Sequence, residues 1–439
     1  MTHPDPIDYP IPVTLAVPAR QLAAQTLARA RWATRAQFLA LGLLAGVWGV
    51  HIPSVKATYG LSEGALSVVL LAVALGAVVA LLTAGRVVGA LGPQRTSQGM
   101  ALLMGTSAAL ALHWPSWTVL LLAMVVFGSA MSLYDVAINT EGSALEATGG
   151  RPIMGNLHGN FSLGGMVGAA LAGLMVKAGV SAPWQLGITG AVIALWVTLS
   201  ARAMLPTHPE VDTETDLEGT PQPKGFRWPR GTLLLLGLLA FAGMSAEGAM
   251  YDWGVLYLLQ EVALPQATAA WGDAAFAGAM AIARFGGDAL RTRFVERHLL
   301  RVGGTLTAGA MATALVSAHP VAAFVGYACA GAGLAMVVPI LYNAAAQVRG
   351  HSRASAIATV SAIGYTGFLL GPPLIGSVAQ LTSLSWGLAL VVPMAALLAW
   401  GAKHVPDRTA GAAAHPSESE IAVRPVVDRN HEVQRQGAQ

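Results

Sequence analysis

A chain of 439 residues in which 54% are hydrophobic and only 11% are charged has too little polar surface for a soluble globular protein. Its formal net charge of +3 is small, and no nucleic-acid partner is expected. The single cysteine, Cys329, cannot form an internal disulfide, so redox chemistry finds no support.

Hydrocarbon offers no partner to backbone polar groups, so a crossing segment must be a helix of roughly 20 mostly apolar residues. Twelve stretches meet that requirement, at 36–55, 65–84, 96–114, 117–142, 158–179, 184–204, 231–260, 266–287, 303–318, 320–346, 354–380 and 383–402. The expected fold is an all-α polytopic membrane protein of two six-helix bundles, 36–204 and 231–402. Residues 1–35 contain several prolines and no uninterrupted apolar core, so the first span reads as a retained signal-anchor. The linker at 205–230 has an acidic run from Glu210 to Glu218 followed by Lys224, Arg227 and Arg230, the pattern of a solvated tether. The tail, 403–439, is expected to be disordered.

Charge placement sets the orientation. Of the 25 lysines and arginines only Lys56 and Lys177 fall on the side opposite the N-terminus, which leaves 23 on the other side. By the positive-inside bias that side is cytoplasmic, and an even number of spans puts both termini and the linker there, in a bacterial inner membrane.

The halves repeat. Gly164, Gly168 and Gly173 in the fifth span have the spacing of Gly367, Gly371 and Gly376 in the eleventh, each offset by 203 residues. Gly128 matches Gly331 at the same offset, and Asn139 matches Asn343 one residue out of register. A duplicated six-helix unit of this kind points to a binding site near the bilayer midplane between the copies.

Specific segments carry a resemblance. Trp48-Gly49-Val50-His51-Ile52-Pro53-Ser54-Val55-Lys56 followed by Gly60-Leu61-Ser62, then Asp135-Val136-Ala137-Ile138-Asn139, then Glu247-Gly248-Ala249-Met250-Tyr251-Asp252-Trp253, resemble the major facilitator superfamily. Within it they are similar to the rhizopine-transport-protein-like branch, over about residues 30 to 402. The resemblance implies the major facilitator fold and secondary transport, and mildly favours a sugar-like or cyclitol-like polar solute. It also implies a cytoplasmic gate in the loop after the second span and in its second-half counterpart. Here Gly85, Gly89 and Gly92 lie with Arg86 and Arg95, a glycine standing where the superfamily has aspartate. The closer counterpart runs from Arg284 through Asp288 to Arg291 and Arg293, so Arg86, Arg95, Arg284 and Asp288 are the gate candidates. The fifth span lacks the glycine-proline motif of many drug/proton antiporters, which lowers the multidrug-export reading.

Chemistry falls to polar residues inside the spans, since a charged side chain there costs at least about 2.5–3.5 kcal/mol. Glu247, near the middle of the seventh span, is the first proton-coupling candidate, because the cost of an ionised carboxylate at that depth suits it to loading and releasing a proton. Asp135 is second, with Asn139 one turn along the same face and Ser132 extending the stripe. Asp252 is third, about 140° round the helix from Glu247 and nearer the periplasmic vestibule. Glu141 near the cytoplasmic end, within reach of Arg151, and Asp273 near the outer surface read as structural. Trp48, His51, Asn139, His158, Asn160, Tyr251, Asn343 and Tyr365 are the cavity candidates. With no lysine or arginine read deep in a span, they suit a neutral, hydroxyl-rich or cationic solute rather than an anion.

No GxxxxGK[ST] loop or HExxH spacing is present, so no enzyme, cofactor or metal is expected. The expected protein is a monomeric, proton-coupled carrier of a small molecule in the lipid bilayer. The alternatives are an efflux carrier for a drug or metabolite, and a non-transporting sensor built on a transporter fold.

Overall fold

The computed structural model describes residues 16–205, 230–348 and 353–406. The described chain is helical: α1 (Ala16–Tyr59), α2 (Glu63–Leu110), α3 (Trp117–Gly149), α4 (Met154–Lys177), α5 (Ala182–Ala201), α6 (Thr232–Gln260) and α7 (Gln266–Arg293), then α8 (Glu296–Ser317), α9 (Pro320–Leu334), α10 (Val337–Ala345), α11 (Arg353–Leu381), α12 (Leu384–Ala389) and α13 (Val391–Gly401). Most of the linker and of the tail expectations lie outside the described residues.

Ten helical segments among the described residues are long and apolar enough to cross a bilayer, against twelve stretches read from the sequence. Two features account for the difference. Helix α2 runs for 48 residues but is broken at Gly92, whose φ of 76° and ψ of 156° turn the chain between two expected spans just before Pro93. Helix α7 is 28 residues long, yet it mixes Asp273 and Arg284 among small residues and falls outside the apolar set. Exposed tryptophans mark the two interfaces. Trp117, Trp184, Trp271 and Trp386 ring the end where α1 finishes, and Trp32 and Trp400 lie at the other end.

Helices in lipid gain nothing from hydrophobic burial against each other, so close van der Waals contact through small residues must hold them. The glycine repeat is that contact. In the first half Gly164 and Gly168 of α4 lie against the carbonyls of Leu39 and Leu43 in α1; in the second, Gly367 of α11 lies against Phe241 and Ser245 in α6. Gly128 sits on the carbonyl of Val73, and its mate Gly331 on that of Phe276. The last member of each triplet crosses to the other half: Gly173 faces Ala267 and Ala270 of α7, while Gly376 faces Ser67 of α2. The same residues at the same offset thus make equivalent contacts, and the halves meet along α4–α7 and α2–α11.

Candidate functional site: a cavity between the two halves

A cavity of about 950 Å³ opens between the halves, walled by α1 to α4 on one side and by α6, α7, α10, α11 and the α9–α10 junction on the other. It reaches one end of the bundle at Glu146, Pro152 and Arg291. There Glu146 shapes the corner between α3 and α4, its carboxylate accepting from the amides of Ile153 at 2.6 Å and Met154 at 2.8 Å.

The opposite end is closed by bonds between the halves. Gln266 Nε2 donates to the Val50 carbonyl at 2.8 Å and to Ser54 Oγ at 3.1 Å, and Gly64 N donates to Gln380 Oε1 at 3.0 Å. His51 lies beside this closure but is bonded within the first half. Gln185 Nε2 donates to the Val180 carbonyl at 2.8 Å, so its Oε1 faces His51 Nε2 at 2.9 Å as acceptor. That leaves Nδ1 of a neutral ring to accept from Ser54 Oγ at 3.2 Å. His51 is therefore a buried link between α1 and α5 rather than a cavity residue, a correction to the sequence reading.

The cavity wall contains Trp48, Asp135, Asn139, His158, Glu247, Asp252, Arg284 and Tyr365. Asn139 Nδ2 donates to Asp135 Oδ1 at 3.0 Å and to its carbonyl at 2.8 Å, so the expected stripe on α3 is formed. Trp48 lies tilted against Phe127 with centroids 5.1 Å apart, and the His158 ring stands edge-on to Phe38 at 5.3 Å.

Arg284 changes the electrostatics of the wall. Its Nη2 lies 3.1 Å from Glu247 Oε1, with side-chain exposures of 12% and 10%, and its Nη1 donates to Ser162 Oγ at 2.7 Å. The sequence reading grouped Arg284 with loop charges and found no deep basic residue; α7 continues well past it, which sets it in the wall beside Glu247. Arg86 and Arg95 are exposed and carry no ion pair to a described residue, and the Asp288 side chain lies outside the described residues. Asp252 lines the cavity with Glu247 despite the angle between them, because the cavity borders more than one face of α6.

Three further cavity candidates are engaged elsewhere. Asn160 Nδ2 donates to the Asn156 carbonyl at 2.8 Å, one turn back on its own helix. Tyr251 turns its ring onto Phe276, centroids 5.1 Å apart. Asn343 Nδ2 donates to Glu296 Oε2 at 2.9 Å, and Glu296 also takes Arg291 at 2.6 Å. The residue that lines the wall is its neighbour Tyr342, about 100° round the helix. The 203-residue offset contained that answer: added to Ser132, Asp135, Val136 and Asn139 it yields Ala335, Val338, Pro339 and Tyr342, and all eight line the cavity. Glu141 accepts from the Leu205 amide at 2.7 Å, and Asp273, on the half of α7 nearer the closed end, is buried among the helices, with 1% of its area exposed.

A family model described as the Major Facilitator Superfamily matches residues 233–429. The chain is 32% identical to an uncharacterized MFS-type transporter of Yersinia pestis, over 85% of this chain and 94% of that protein. It is 31% identical to the membrane protein MosC of Rhizobium meliloti, over 83% of this chain and 87% of that one. Among solved structures its fold is similar to the transporter FucP in the outward conformation, with a TM-score of 0.61 and 16% identity over 85% of this chain and 98% of that one. A nucleoside transporter, NupG, aligns with a TM-score of 0.63 and 14% identity over 87% and 98%.

Proposed function

This chain belongs to the major facilitator superfamily, and we propose that it moves a small solute across the bacterial inner membrane by alternating access, driven by protons. The observation that carries this reading is the cavity itself. It is walled by both halves, held shut at one end by hydrogen bonds between them, and extended to the surface at the other. With the arginine-rich side cytoplasmic, the cavity faces the cytoplasm, and the linker, both termini and the segments flanking the two bundles lie on that side.

Asp135 is the first coupling group, because it faces the cavity and has one amide donor, Asn139, instead of a cation. Asp252 is the second. Glu247 takes part through its pair, since a proton on it releases Arg284. Because Glu247 neutralises Arg284, the remaining amides, phenols and carboxylates suit a neutral, hydroxyl-rich or cationic solute. The test is uptake of a labelled panel of polyols, sugars and amines by proteoliposomes, with proton movement recorded for the parent, Asp135→Asn and Glu247→Gln. Full coupling in both variants overturns the proton reading; solute binding without translocation favours the sensor.

A second reading rests on the apolar part of the wall. Phe38, Phe161, Met131, Met244, Met336 and Phe368 border the same cavity and accept an amphiphile. Outward movement of an amphiphilic dye, with no polyol, sugar or amine taken up, selects efflux.

A further inference from the structure

Among the described residues, Asp273 is the one buried acid of α7 that the cavity does not reach. Its residue is 1% exposed, and neither Oδ1 nor Oδ2 has a hydrogen-bond partner. It lies in the contact between the halves: a Cβ built on Gly49 of α1 would stand 3.2 Å from Asp273 Oδ2 and 3.2 Å from the Tyr251 carbonyl of α6. Two turns nearer the closed end of the same helix, Gln266 makes its two bonds to α1.

The neighbours offer it no cation. The titratable groups close enough to act on it electrostatically are Asp252 and Tyr251 from α6 and Tyr327 from α9, whose hydroxyl donates to the Gly254 carbonyl at 2.8 Å. The facing residue of α1 is Gly49, and His51, two positions on, points to Gln185 on the other side of that helix. Arg284, on α7 itself, is taken by Glu247 three turns away. On either side of it along α7, α4 supplies Gly173 against Ala270 and Gly165 against Ala277. An ionised carboxylate buried with no donor, within the field of a second acid, is strongly disfavoured in such a site, whereas a carboxylic acid fits it.

We propose that Asp273 is a proton site that controls closure of the outer end. It carries a proton while α1 packs over it through Gly49, and loses that proton when the halves part and water enters. This deepens the transport reading and rests on alternating access. It gives the carrier a titrating group separate from the solute cavity, so that the outer end recloses only after a proton has been taken from outside.

The test reads conformation and needs no solute, so its failure is distinct from failure of the transport reading. In a Cys329→Ala background, spin labels on Thr58→Cys and Thr268→Cys, both exposed at the closed end on opposite halves, report the opening by their separation. The full-length protein in nanodiscs is expected to shift from the short to the long separation as buffer is taken from mildly acidic to mildly alkaline. Asp273→Asn is expected to lose that shift and stay short throughout. Gly49→Ala, which places a methyl against Oδ2, is expected to populate the long separation even in acid. A parent-like pH response in Asp273→Asn, or no pH response in the parent, overturns the proposal.

Discussion

Arg284 and Glu247 form an ion pair of 3.1 Å in the cavity wall, and the same guanidinium reaches Ser162 in the opposite half at 2.7 Å. One side chain therefore holds an acid of α6 and a hydroxyl of α4 on either side of the seam. Removing one partner of such a pair leaves an uncompensated charge in a largely dry place. Glu247→Gln and Arg284→Gln are each expected to lower unfolding stability by about 3 kcal/mol, and the double variant to lower it by less than the sum. Thermal melts in detergent, run as a double-mutant cycle, measure this; strict additivity would show that the pair contributes nothing.

The Asp135–Asn139 clasp separates binding from packing. Asn139→Ala removes a donor whose partner still reaches cavity water, so stability is expected to change by no more than about 1 kcal/mol. Solute-coupled proton movement should fall sharply in Asp135→Asn and partly in Asn139→Ala. Flux assays alongside melts decide it.

His51 and Trp48 should part company in the same assays. His51→Ala leaves Gln185 Oε1 without its donor inside the bundle and is expected to cost about 1–3 kcal/mol, with solute affinity unchanged. Trp48→Ala, in the cavity wall, is expected to weaken binding. Titration of the transported solute against both variants separates the two roles; a lost affinity in His51→Ala with unaltered stability would return it to the cavity.

The repeat itself is open to test. Gly128→Val and Gly331→Val each drive a side chain into the carbonyl of a neighbouring helix, so both are expected to reduce the monodisperse, membrane-extracted fraction to a similar degree. Gly99→Val, with nothing within 4 Å, is the control and should behave like the parent. A large difference between Gly128→Val and Gly331→Val would mean that the matched offset does not reflect matched packing.

Much of the cavity was legible in the chain because the repeat carries it: the offset that relates Gly128 to Gly331 also leads from Asn139 to Tyr342. Following residue type instead leads to Asn343, one position away, and one position rotates a side chain about 100°. Asn160 and Tyr251 were misplaced for a related reason, since polarity marks a residue as costly in a membrane without saying whether its own helix or a neighbour satisfies it.

Hydropathy, charge asymmetry and glycine spacing determined by themselves that this chain crosses a membrane repeatedly, which side is rich in arginine, and that its halves share a glycine spacing at one offset. These are properties of single segments against a solvent, and the bilayer tests each segment separately. Only the tertiary structure decided that Arg284 pairs with Glu247, that His51 ties α1 to α5, and that Asp273 is sealed under Gly49 without a partner. Each depends on the rotation and depth of one helix against another, which packing of side chains across helix faces sets and no single segment encodes.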